Sequence, residues 1–193
     1  MKRTPLAERK LPPYTRGEEI FNAVSHTVGS AFAFFVLLAC VIVAAGKGNT
    51  WGMVTGAVYG LSMLMLYTMS SIYHGLNPQK AETAKKVMQV IDHCTIYLLI
   101  AGTYTPVLLV NIRSSDPLLA WVLFGVIWAA AAAGITLTAI DLRRFRAFSM
   151  ACYICSGWLI VVALPKVLQI LPRPAFLLLL AGGIAYTLGA VFY

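Results

Sequence analysis

Residues 20–45 read IFNAVSHTVGSAFAFFVLLACVIVAA, without one Asp, Glu, Lys or Arg. A helix of that length rises about 39 Å, more than the roughly 30 Å of a bilayer's hydrocarbon core. Five further apolar runs follow, near 51–73, 87–110, 117–140, 148–170 and 174–193. The expected fold class is therefore all-α, a polytopic membrane helix bundle with six spans. GKGN at 46–49, GLNP at 75–78, RSSDP at 113–117 and LPRP at 171–174 supply the turns between them. The first run is no cleaved signal peptide, since it is too long and another span follows within a few residues.

Composition points the same way. The 193 residues are 60% hydrophobic and 11% charged, against about 45–50% apolar and about 25% charged in a soluble domain. Disorder and a disulfide scaffold are excluded as well, because four cysteines cannot staple a chain this long. The net charge of +8 would suggest nucleic acid as the partner of a soluble domain. Here the basic residues fall between apolar runs, so membrane lipids with anionic headgroups are the expected partners, and nucleic acid is not.

Lys2, Arg3, Arg9, Lys10 and Arg16 lie in the N-terminal tail, Lys80, Lys85 and Lys86 in the second loop, and Arg143, Arg144 and Arg146 in the fourth. Only Lys47, Arg113, Lys166 and Arg173 lie on the other side. The positive-inside rule then puts the N-terminus in the cytoplasm, with residues 1–19 as a basic tail and 20–193 as the bundle. The last run stops at Tyr193 without a polar anchor, so a seventh span is expected beyond it.

Ionisable residues inside spans cost about 2.5–3.5 kcal/mol each at a helix centre, and so mark function or tight pairing. All three histidines fall at one level: His26 early in the first span, His74 at the end of the second, and His93 beside Asp92 early in the third. Glu19, Asn22 and His26 are spaced i, i+3, i+7 as one polar stripe, and Ser70 and His74 share a face at i, i+4. Asp92 and His93 differ by about 100° around their helix, so one of them is expected to face a common centre. Imidazoles and carboxylates in a low-dielectric pocket suit zinc or another transition metal. Each histidine alone is equally well read as an interfacial, hydrogen-bonded side chain; Asp92 is harder to read that way.

Other motifs have plainer readings. Cys152 and Cys155 form a C-x-x-C that packs as small hydrophobes. GTYTP at 102–106 suggests a kink whose freed backbone groups meet threonine hydroxyls. Gly125, Gly134, Gly182, Gly183 and Gly189 suggest close helix packing.

EEIFNAVSHTVG at 18–29, SSIYH at 70–74 and DHCTIYLLIAGTYTP at 92–106 together resemble the bacterial hemolysin III family, which is grouped with the progestin and adipoQ receptors. The resemblance runs through essentially the whole chain. It implies a seven-helix protein of the bacterial inner membrane with a cytoplasmic N-terminus and zinc near the cytoplasmic helix ends. Carried over by motif, it makes His74 a zinc ligand and places Ser70 and Asp92, the candidate catalytic residues, beside the water that the metal holds. Two further histidine ligands belong to a seventh helix in that pattern. Glu19, His26 and His93 are additional candidates without a transferable role.

The resulting expectation is a zinc-dependent hydrolase of a lipid amide or ester, similar to the ceramidase-like relatives. The alternative is a receptor-like or membrane-homeostasis protein with structural zinc. A pore-forming cytolysin fits less well, because so apolar a chain has no soluble form in which to travel.

Overall fold

The computed structural model describes residues 4–191; Lys2, Arg3 and the expected end of the sixth span at Tyr193 lie outside them. The described residues form α1 (Arg16–Gly46), α2 (Thr50–Gly75), α3 (Pro78–Pro106), α4 (Pro117–Asp141), α5 (Arg146–Gly157), α6 (Leu164–Ile170) and α7 (Arg173–Val191). Among them no strand occurs, and six helical stretches are long and apolar enough to cross a membrane. Short connections pack α1 on α2, α2 on α3 and α3 on α4, with α5 against α3 and α4, and α7 against α5 and α6.

Local chemistry sets the helix starts. Thr15 and Glu18 form a capping box, in which Glu18 N–H donates to Thr15 Oγ1 and Glu18 Oε2 accepts from Thr15 N–H at 2.7 Å. This draws α1 back to Arg16, ahead of its apolar run. Asn49, Asn77 and Asp116 cap α2, α3 and α4, the last two with proline in the first turn.

Two spans depart from the expected boundaries. α3 begins at Pro78, not near residue 87, and so takes Lys85 and Lys86 out of the loop and buries both. Hydropathy misses this because it scores a lysine by its charge and not by the groups that meet it. The fifth span is broken into α5, a 3₁₀ stretch at Leu159–Ala163 and α6. Gly157 ends the first piece and Pro165 starts the last, where its missing N–H costs least.

At Pro106, where a kink was the expectation, the dihedrals stay helical and α3 passes into a π turn at Val107–Asn111, while the break in its helical dihedrals falls at Ala81. Thr103 and Thr105 hydroxyls donate to the Leu99 and Ala101 carbonyls at 2.8 Å each. The apolar core runs between α3, α4 and the broken fifth span, through Tyr97, Leu108, Ile127, Tyr153 and Val167.

Three links tie the basic segments to one face. Thr4 N–H and Oγ1 donate to Asp141 Oδ2, Arg9 Nη2 donates to the Ile140 carbonyl, and Lys86 Nζ donates to the Ala7 carbonyl. The tail, the start of α3 and the α4–α5 turn therefore share one end of the bundle. At the other end Arg113 lies 4.1 Å above the Trp51 ring, which meets Trp121 edge-on, as interfacial anchors do.

Candidate functional site

The polar residues of α1, α2 and α3 meet at the basic end. Glu19 is the hub. Its Oε2 lies 2.7 Å from His74 Nδ1 and its Oε1 2.8 Å from Lys85 Nζ, so one carboxylate ties three helices. Lys85 is 1% exposed, and its ammonium also donates to the Tyr73 and Leu76 carbonyls at 3.0 and 2.9 Å. Those carbonyls close α2, where a cation is favoured by the helix dipole. The buried charge is thus met on several sides, as a low-dielectric site demands.

An ionised carboxylate only accepts hydrogen bonds, so Glu19 fixes the proton of a neutral His74 on Nδ1. Nε2 then carries the lone pair. A carboxylate on the far nitrogen is the arrangement that orients metal-binding histidines. His26 Nδ1 lies 2.6 Å from Ser70 Oγ, and the His26 and His74 rings are 6.1 Å apart between centroids. Tyr14 closes over His74 from the tail at 5.5 Å. Burial raises the Tyr14 pKa most, the Glu19 and Asp92 carboxylates raise it further, and Arg146 pulls the other way. The Tyr14 phenol therefore stays protonated at neutral pH, within reach of both carboxylates' fields.

Asp92 and His93 remain neighbours in space, with Asp92 Oδ2 3.7 Å from His93 Nδ1. His93 Nδ1 donates to the Gln89 carbonyl at 2.8 Å, while the His93 carbonyl accepts from Tyr153 at 2.9 Å. His93 is thereby tied to its own helix and to α5. Ser70 stands with His26, and His74 with Glu19. All of the candidates lie at one end, in three adjoining groups.

Zinc, which the resemblance implies, finds a suitable donor in His74, whose opposite nitrogen is held by a carboxylate. The fit stops there. Among the described residues no three His, Cys, Asp or Glu side chains gather closely enough to hold a metal ion, whereas a zinc site takes at least three protein ligands.

Lys85 is legible as a site residue, although its place among the basic residues of the second loop hides it. Lys85, Gln89 and Asp92 stand at i, i+4, i+7, one face of a helix, as do the spaced polar residues of α1. Tyr14 carried no such signal, because only the fold of the tail brings it onto His74.

The residues that build this cluster lie inside a longer match. Residues 14–193 match the family model described as Haemolysin-III related. The chain belongs to the haemolysin-III family. This haemolysin-III member is similar to "Hemolysin-3" of Bacillus cereus, with 42% identity over 176 residues covering 91% of this chain and 78% of the relative. It is similar also to the "Hemolysin-3 homolog" of Bacillus subtilis (strain 168), with 36% identity over 180 residues covering 93% and 82%. No solved structure matches it significantly.

Proposed function

We propose that this haemolysin-III protein hydrolyses an amide or ester bond of a membrane lipid at the basic end of its bundle, which faces the cytoplasm. The observation that carries the reading is the Glu19–His74 pair, an imidazole held by a half-buried carboxylate with its Nε2 lone pair left for a ligand. His74 would be this chain's ligand to zinc. When bound, the metal supplies Lewis acidity toward an acyl carbonyl and lowers the pKa of water. Asp92 would be the carboxylate available to move a proton at this end of the bundle. Ser70 holds the His26 ring, Lys85 holds Glu19, and Tyr14 shields the cluster from the aqueous side.

One observation favours a second reading, a structural zinc in a non-enzymatic membrane protein. Glu19, His74 and Lys85 already tether α1, α2 and α3, and a metal at His74 would reinforce that tether. The cytolytic sense of the relatives' names has less behind it here. α1 exposes Phe21, Val28, Phe32, Phe35 and Ile42, a surface that suits lipid and has no soluble counterpart.

The test measures zinc content and turnover of acyl lipids in the purified protein. His74→Ala is expected to lose most of the metal. Asp92→Ala is expected to keep it and to lose at least about 100-fold in turnover, the usual share of a general base. Stoichiometric zinc in both variants would overturn the ligand assignment, and turnover that survives loss of zinc would favour the structural reading.

A further inference from the structure

Behind the tail lies a cavity of about 450 Å³, bounded by residues of the tail, of α3 and of the α4–α5 turn. Four cations line it, Arg9, Lys10, Arg143 and Arg146, against two carboxylates, Glu8 and Asp141. Asp141 and Arg9 are among the charges already engaged. Asp141 accepts from Thr4 and from Arg144 N–H, and the Arg9 guanidinium donates to the Thr4 and Ile140 carbonyls. No ion pair among the described residues engages Lys10 or Arg143, and Arg146 turns its field on Tyr14 across the cavity. The excess charge lining the space is positive.

A second feature points the same way. α5 opens at Arg146 on the cavity wall, and no side chain caps it. The Arg146 and Ser149 amides on that wall already donate to the Arg143 and Phe145 carbonyls, so what the helix start adds is the partial positive charge of its dipole. Leu11, Leu142 and Met150 supply an apolar wall beside these donors. Arginine forks match a tetrahedral oxyanion bearing several acceptor oxygens.

We propose that this cavity binds a phosphate group, carried by an anionic lipid headgroup or by a free phosphate. The inference is independent of the hydrolase reading, since it needs neither a metal nor Asp92.

The experiment titrates the purified protein in phosphate-free buffer and uncharged detergent with dihexanoyl phosphatidic acid, with dihexanoylglycerol and with inorganic phosphate. Phosphatidic acid is expected to bind saturably and dihexanoylglycerol not to bind. At about one kcal/mol per basic residue, Arg143→Gln weakens binding about fivefold, and Arg143→Gln with Arg146→Gln about thirtyfold. Arg143→Lys with Arg146→Lys retains most of the binding, and Arg113→Gln at the opposite end leaves it unchanged. Displacement of the lipid by inorganic phosphate assigns the site to a free phosphate; failure to displace it assigns the site to the headgroup. Equal binding of dihexanoylglycerol overturns the proposal. So does undiminished binding by Arg143→Gln, a substitution of an exposed turn residue that leaves the bundle intact, with helicity and elution profile as the check.

Discussion

The α1–α2 pair and the α5–α7 region are about equally apolar, yet they pack differently. Between α1 and α2 the backbones come close at glycine. A Cβ at Gly60 would lie 2.6 Å from Leu37 Cα, and one at Gly56 2.9 Å from Cys40 Cβ. Polar pairs register the same interface, with Thr27 Oγ1 2.6 Å from Ser71 Oγ and Ser30 Oγ 3.2 Å from Thr68 Oγ1. In α7, Gly182 and Gly189 have open space where a Cβ would go, and Leu177 and Leu178 are exposed. One polar link is present there, from Trp158 Nε1 to Thr187 Oγ1 at 3.0 Å. Lipid tails are as apolar as leucine, so apolar surface alone does not draw helices together. Small residues and hydrogen bonds do.

Removing a charge at the hub should give the largest effect. Glu19→Gln leaves Lys85 buried without its counter-charge and is expected to cost about 3–5 kcal/mol. Denaturant titration of the purified protein checks this, and pairing the change with Lys85→Met should restore much of the loss. An undiminished Glu19→Gln protein would break the view that α1–α3 are held by polar contacts.

Gly60→Leu comes next. It forces backbone against backbone and is expected to cost about 1–3 kcal/mol, whereas Gly182→Leu should leave thermal stability unchanged. Equal loss in both would erase the contrast between the two regions.

Smaller effects sharpen it further. Ser70→Ala removes the partner of His26 and should cost about 1 kcal/mol. Trp158→Phe removes the link to Thr187 and should cost about 0.6 kcal/mol, the average for a hydrogen bond between membrane helices. Thermal unfolding of the two variants side by side orders them, and a larger loss at Trp158 would reverse the comparison.

The glycines show why a sequence reading reaches only so far. Gly125, Gly182 and Gly189 were expected at close helix contacts, and each has open space around it; Gly183 makes ordinary contact with Trp158. Gly134 does pack closely, with the Tyr97 ring against the place where its Cβ would stand. The other close approaches fall at Gly29, Gly52, Gly56, Gly60 and Gly102. A glycine permits close packing but does not state which of its helix's faces meets a neighbour.

Six spans and their turns were legible because the cost of crossing hydrocarbon is local: each run of apolar residues satisfies its own backbone without reference to the rest. The level shared by His26, His74 and Asp92 was legible for the same reason, since position along a span gives depth. Tertiary structure alone decided the partners. Glu19 takes His74 and Lys85, Ser70 takes His26, and the tail folds Tyr14 onto His74. Such pairings depend on how each helix is rotated about its axis, and that rotation is set by the packing of all its neighbours together.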